Sequence, residues 1–155
     1  MSYDRIVVKI GTSTITGGSS HVDLPRTIDL VRQLSWVMDR KVQVALVTSG
    51  AVAAGRELLN YPHLSKHIPG KQMLSAIGQP RLMSIYMDLF QMYGYVASQI
   101  LLTRRDFTMR RSYLNARNTL EGLLNQGVLP IINENDTVAT EEIRLGDNDT
   151  MSAFV

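Results

Sequence analysis

Four short stretches most constrain what this chain can fold into: Arg5–Ile10, Val42–Val47, Tyr95–Leu102 and Val128–Ile132. Each is largely apolar and reads as a buried strand. Each stops abruptly at glycine, hydroxyl, amide or charged residues. The segments between them are long enough for helices. Strands joined by helical crossovers lie parallel, with helices on both faces of the sheet. The expected fold is therefore α/β, a three-layer αβα sandwich with a mainly parallel sheet. Polar residues gathered where such strands end mark the carboxyl edge, and that edge is where open α/β sheets bind ligands.

The linking segments carry their own signals. Asp23 suits an N-cap, with Pro25 in the first turn. Ile28, Val31, Leu34, Trp36, Val37 and Met38 then give that helix an apolar side. Thr12–Ser20, rich in Gly, Ser and Thr, reads as a loop. Small residues from Gly50 to Gly55 lead into a short helix ending near Leu59, and Asn60–Gly70 reads as a loop. A long helix is expected over Lys71–Tyr93, interrupted around Gly78–Pro80. Its stripe of Met73, Ile77, Leu82, Ile85, Met87, Leu89 and Met92 reads as core or subunit interface. Asp106 or Ser112 is placed to cap a further helix, running to about Asn125 and stopping at Gly127. Thr137–Ile143 reads as a short hairpin. Asp149–Val155 reads as the start of an apolar helix that lacks a closing cap, the expectation for a chain cut short of its domain.

Composition narrows the class. One hundred and fifty-five residues suit one domain or part of a larger one. A net charge of +2, with Arg104–Arg105 and Arg110–Arg111 as the arginine doublets, is too small an excess to argue for nucleic acid. The absence of cysteine excludes a disulfide framework and a thiolate metal site, and fits a reducing cytoplasm. His21, His63 and His67 lie far from the polar clusters and read as ordinary loop or surface histidines. No stretch reaches the ~18–20 apolar residues of a membrane span.

The strand ends carry the chemistry. Lys9 interrupts an apolar strand just before Gly11, Thr12 and Ser13. It either snorkels to water from an edge strand or stabilises a phosphoryl group beside a glycine that lets phosphate approach the backbone. Thr48-Ser49-Gly50 joins a strand to a helix. It is either an anion site of free N–H groups or a tight turn with a serine cap. The third strand ends at Thr103 and Arg104. The fourth ends in Asn133, Glu134, Asn135 and Asp136, and Asp147, Asn148 and Asp149 follow. Asp136 suits a substrate ammonium, a metal or a turn cap. The later trio lacks the glycine and distal glutamate of an EF-hand. Asp149 is placed to orient Lys9 by ion pairing.

Several segments together resemble the glutamate 5-kinases of the amino-acid kinase family. They are VVKIGTSTIT (Val7–Thr16), VTSGAVAAGR (Val47–Arg56), KQMLSAIGQPRLM (Lys71–Met83), QILLTRRD (Gln99–Asp106), YLNARNTLEGLL (Tyr113–Leu124) and PIINENDTVAT…GDNDTMSA (Pro130–Ala153). The resemblance implies phosphoryl transfer from ATP, with Mg²⁺ as its companion and no protein-bound metal site, to the γ-carboxylate of L-glutamate. That reaction opens proline biosynthesis. It implies that Lys9 contacts the transferring phosphate, with Gly11 and Ser13 in the phosphate loop. Ser49, Gly50, Asn133, Asp136 and Asn148 would line the glutamate site, Asp147 would shape its loop, and Asp149 would organise Lys9. An ammonium-binding Asp136 favours free glutamate over an N-acylated one. The family's kinase domain is roughly 250 residues. Residues 1–155 thus correspond to its N-terminal, substrate-binding portion, without the nucleotide-binding half or any PUA domain. Also implied are a homo-oligomeric cytoplasmic enzyme, proline as feedback inhibitor, and no nucleic-acid or membrane partner. The rival expectation is a non-catalytic module that binds glutamate or associates with full-length subunits.

Overall fold

The computed structural model describes residues 3–60, 68–138, 152–153 and 155. Its strands are β1 (Arg5–Lys9), β2 (Gln43–Val47), β3 (Ala97–Leu102) and β4 (Leu129–Glu134), all parallel, in the order β1-β2-β4-β3. The helices are α1 (Thr12–Thr16), α2 (Leu24–Met38), α3 (Ala51–Leu58), α4 (Ile68–Met92), α5 (Arg104–Thr108) and α6 (Arg110–Asn125). The α/β class, the parallel sheet and the helices on both its faces are as expected.

The three layers follow from the two-residue period of a strand. Val44, Leu46, Leu129 and Ile131 point to one face, into a core with Val31 and Leu34 of α2 and Leu82, Tyr86 and Phe90 of α4. Ala45, Val47 and Ile132 point to the other face, where Leu120 of α6 joins them. Pro130 sits in a central strand, where a proline normally breaks a ladder. Leu129 donates to Val96 O on the β3 side at 2.9 Å. Alternation therefore turns the Pro130 nitrogen toward β2, whose ladder with β4 begins only at Leu46↔Ile131.

Several boundaries differ from the sequence reading. The Thr12–Thr16 stretch is a short helix, because Ile15 is buried against the core and Gly17, at φ 61°, closes the turn. Asp23 does cap α2, its carboxylate accepting from Arg26 N at 3.1 Å. Thr103 and Asp106 form a capping box on α5, so Asp106 stands in that helix's first turn, and Met109 precedes α6. Helix α4 is continuous through Pro80. The lost N–H is tolerated because both halves are anchored, Leu74, Ser75 and Gln79 before it and Leu82, Met83, Tyr86 and Phe90 after it. The buried stripe of α4 is that set; Met73 and Met92 are exposed. The expected hairpin and terminal helix fall mostly outside the described residues; Thr137 and Val138 lie in a turn.

Helices α3 and α4 meet backbone to backbone. A methyl group on Gly78 would fall inside the Ala51 carbonyl, and one on Gly55 inside the Leu74 carbonyl. Glycine is required here for close approach rather than for an unusual φ. Gly78→Ala should force the helices apart and cost about 1–3 kcal/mol or more. Gly122→Ala, where α6 leaves open space, should instead stabilise by about 0.5–1 kcal/mol. Urea unfolding midpoints of the two variants check the pair; equal shifts would show that the contact is not tight.

Candidate functional site

The ladder brings the strand ends level. Ile10 N donates to Val47 O at 2.8 Å, Thr48 N to Ile132 O at 2.9 Å, and Asn135 N to Leu102 O at 2.9 Å. Polar residues that follow β1, β2 and β4 therefore emerge along one edge. A cleft of about 140 Å³ lies there, lined by Thr12, Ser49, Gly50, Ala51, Val52, Ala53, Asn133, Glu134 and Asp136.

One wall is the start of α3. Gly50 is its N-cap at φ 108°, so the cap position itself carries no side-chain acceptor. A side chain at this position would be strained by that φ and would also meet Ile15 Cγ2 at 2.9 Å. The serine-cap alternative is thus not what forms. Ala54 N bonds back to Gly50 O at 2.9 Å, and the earlier amides of the helix run along the cleft. The first N–H groups of a helix and its dipole favour an anion.

The opposite wall is acidic and amide. Asn133 is buried; its Nδ2 donates to Gln79 Oε1 at 2.7 Å, and its Oδ1 accepts from Glu134 N at 2.9 Å. Asp136 accepts from Ser75 Oγ at 2.6 Å. Burial holds the Asp136 carboxyl above its ordinary pKa; the Ser75 hydrogen bond and the nearby Lys71 charge work against that rise. One cleft thus offers amides for a carboxylate at one side and a carboxylate for an ammonium at the other.

Lys9 lies at the exposed end of β1, paired in register with Val47. Its Nζ folds over Gly11, 3.4 Å from where a Cβ would stand. Ser13 is exposed on α1, its carbonyl accepting from Gly17 and Gly18 N–H groups. Of the expected residues, Ser49, Gly50, Asn133 and Asp136 share the cleft. Lys9 and Gly11 lie at the neighbouring strand end, while Ser13 does not line the cleft. Asp147, Asn148 and Asp149 fall outside the described residues, as does any pairing of Asp149 with Lys9. Thr103 and Arg104 open α5 and do not line the cleft. Sequence reasoning missed Ser75, Gln79 and Lys71 on α4. The signal that could have found them is the four-residue spacing of Ser75 and Gln79 in line with Leu82 and Tyr86.

The amino acid kinase family model matches residues 4–155. This chain belongs to that family. It is 51% identical to the glutamate 5-kinase of Shewanella woodyi over 153 residues, 99% of this chain and 41% of that protein. It is 52% identical to the glutamate 5-kinase of Deinococcus radiodurans over 151 residues, 97% of this chain and 42% of that protein. The glutamate 5-kinase of Aliivibrio salmonicida is 52% identical over 150 residues, 97% of this chain and 41% of that protein. The chain thus spans about two-fifths of the length of these curated relatives. In this amino acid kinase chain, no described helix is long and apolar enough to cross a membrane.

The raised Asp136 carboxyl has a consequence for stability. A carboxyl whose folded pKa lies above its unfolded value adds stability below the unfolded pKa. That contribution is lost as pH rises through the folded value. Near neutrality the buried charge is therefore a cost. Asp136→Asn keeps an acceptor for Ser75 and removes the charge. Its Tm should exceed that of the unsubstituted chain at pH 7, with the gain shrinking as pH falls through the carboxyl range. Thermal melts across pH check this; a gain that grows on acidification would reverse the assignment.

Proposed function

We propose that this chain is the acceptor-binding portion of a kinase that transfers the γ-phosphoryl group of ATP to the γ-carboxylate of L-glutamate. The observation that carries the reading is the two-sided cleft, with α3 amides facing Asn133 and Asp136. Its support is the glutamate 5-kinase name shared by relatives about half identical over almost the whole chain. Asp136 receives the substrate ammonium, with Asn133 and Asn148 beside it. Ser49 and the amides after Gly50 receive carboxylate oxygen. A γ-carboxylate oxygen attacks the terminal phosphorus, the bond from that phosphorus to the ADP oxygen breaks, and ADP leaves with the electron pair. No covalent enzyme intermediate is needed, so rate comes from positioning and charge stabilisation. Lys9 lies beside the transferring phosphoryl oxygens, Gly11 and Ser13 belong to the phosphate loop, and Asp149 orients Lys9.

Magnesium enters with ATP, whose phosphates supply its ligand oxygens. Among the described residues, no three of His, Asp or Glu cluster to add a protein cage. The reading places the chain in a cytoplasmic homo-oligomer at the first step of proline biosynthesis, with proline as its feedback ligand.

Calorimetry on the 155-residue chain tests the acceptor half of the reading. L-glutamate should bind and N-acetyl-L-glutamate should not, because acylation removes the ammonium that Asp136 receives. Binding of the acylated ligand alone would sink the assignment. In the whole translation product of the gene, Lys9→Ala should lower kcat by about 10²–10³ with little change in KM for glutamate. Hydroxamate trapping of the acyl phosphate reads this, and unchanged turnover would remove Lys9 from the phosphate role. The 155-residue chain itself should form no hydroxamate.

A further inference from the structure

The buried stripe of α4 is apolar except at a few positions, and those positions face the strand ends. Ser75 and Gln79 are one helical turn apart, and Tyr86 lies on the same stripe two turns further on. Ser75 Oγ reaches Asp136 at 2.6 Å, Gln79 Oε1 reaches Asn133 at 2.7 Å, and the Tyr86 hydroxyl lies 2.9 Å from Thr48 Oγ1. Ser75 is 3% exposed, Gln79 7% and Asn133 2%. Water is therefore a poor substitute partner for any of these groups.

Gln79 is unfavourable as a packing residue alone. Its Nε2 is buried without a partner among the described residues, and an orphaned amide destabilises a core where leucine or methionine would not. Its carbonyl oxygen, in contrast, accepts from Asn133 Nδ2 and so fixes the rotation of that side chain. Asn133 is then held at both ends, by Gln79 and by Glu134 N.

We propose that Ser75 and Gln79 are positioning residues, which hold Asp136 and Asn133 in the orientation that receives the ammonium end of the amino-acid ligand. The inference rests on the proposed reading of the cleft as an amino-acid site. Neither residue lines the cleft itself; each acts through the residue it grips. Burial disfavours the charged form of Asp136, and Ser75 works against that, because its hydroxyl donates to the ionised carboxylate. Among the described residues, the other charged groups near Asp136 are Lys71 on α4 and Glu134, which lines the same cleft; the α3 wall, Ala51–Ala53, carries none.

The test is L-glutamate calorimetry between about pH 4 and 8 on the 155-residue chain, with urea unfolding of every variant. Ser75→Ala should weaken binding roughly tenfold at neutral pH. It should also move the acid limb of the affinity profile to higher pH, because the protonated carboxyl is no longer disfavoured. Ser75→Thr, which keeps the hydroxyl, should restore both. Gln79→Leu should hold or raise the urea midpoint while weakening binding, a split that a merely structural glutamine would not produce. Unchanged affinity in Ser75→Ala and Gln79→Leu, or an unmoved acid limb in Ser75→Ala, overturns the positioning role and leaves the cleft assignment standing. Failure of the unsubstituted chain to bind L-glutamate overturns both.

Discussion

Gly55 and Gly78 let two helix backbones touch, and the geometry of the cleft depends on that contact. Helix α3 begins at the cleft, with its first amides along one wall. Helix α4 stands behind the other wall and holds Asn133 and Asp136 through Gln79 and Ser75. The distance between the α3 wall and the Asn133–Asp136 wall is thus set by how closely α3 approaches α4. Side chains at 55 and 78 would separate the helices by the width of a methyl layer, and the two walls would move with them. A packing contact outside the cleft therefore controls its width, in a core dense enough to transmit small displacements.

The strand ends were legible in the sequence because burial on both faces leaves a plain signature. An apolar run that stops at a polar cluster fits a buried strand and little else, and Ser49, Gly50, Asn133 and Asp136 do meet in one cleft. The Asp23 cap and Pro25 were equally plain, since capping chemistry is local. What was not legible depended on distant neighbours. Thr12–Thr16 has poor helix propensity and is helical through the burial of Ile15 and the left-handed turn at Gly17. Pro80 should break a helix, and α4 survives it through burial on either side. The polar residues of α4 were hidden for the same reason. A serine and a glutamine on a long helix look like surface until the sheet edge they face is known.

The cleft also sets function against stability. Asp136 is partly withdrawn from water, and its carboxyl is harder to ionise as a result. The Ser75 hydroxyl and the Lys71 ammonium reduce that cost without cancelling it. A carboxylate held this way has less hydration to lose when it meets an ammonium, so the pairing is stronger than at an open surface. Gln79 shows the same trade in neutral form, with an N–H that has no partner among the described residues retained beside a useful carbonyl. Such departures from the best packing belong at sites rather than at random positions in a core.

Strand order decides how the proposed chemistry is spread along the edge. Neighbouring strands lie about 4.8 Å apart, so the ends of β1 and β4, with β2 between them, are separated by roughly 10 Å. Asp136 and Asn133 follow β4, Ser49 and Gly50 follow β2, and Lys9 and Gly11 lie at β1. A ligand gripped by its ammonium at β4 must extend across the β2 turn before a distal carboxylate can approach Lys9. That geometry favours an acceptor with a carbon spacer between its two ends over a compact one. It also gives Gly50 a second purpose. A side chain there would meet Ile15 of α1 and would stand in the one turn that such a ligand has to cross. The open turn at that glycine and the extended form of the proposed acceptor thus suit the same strand order.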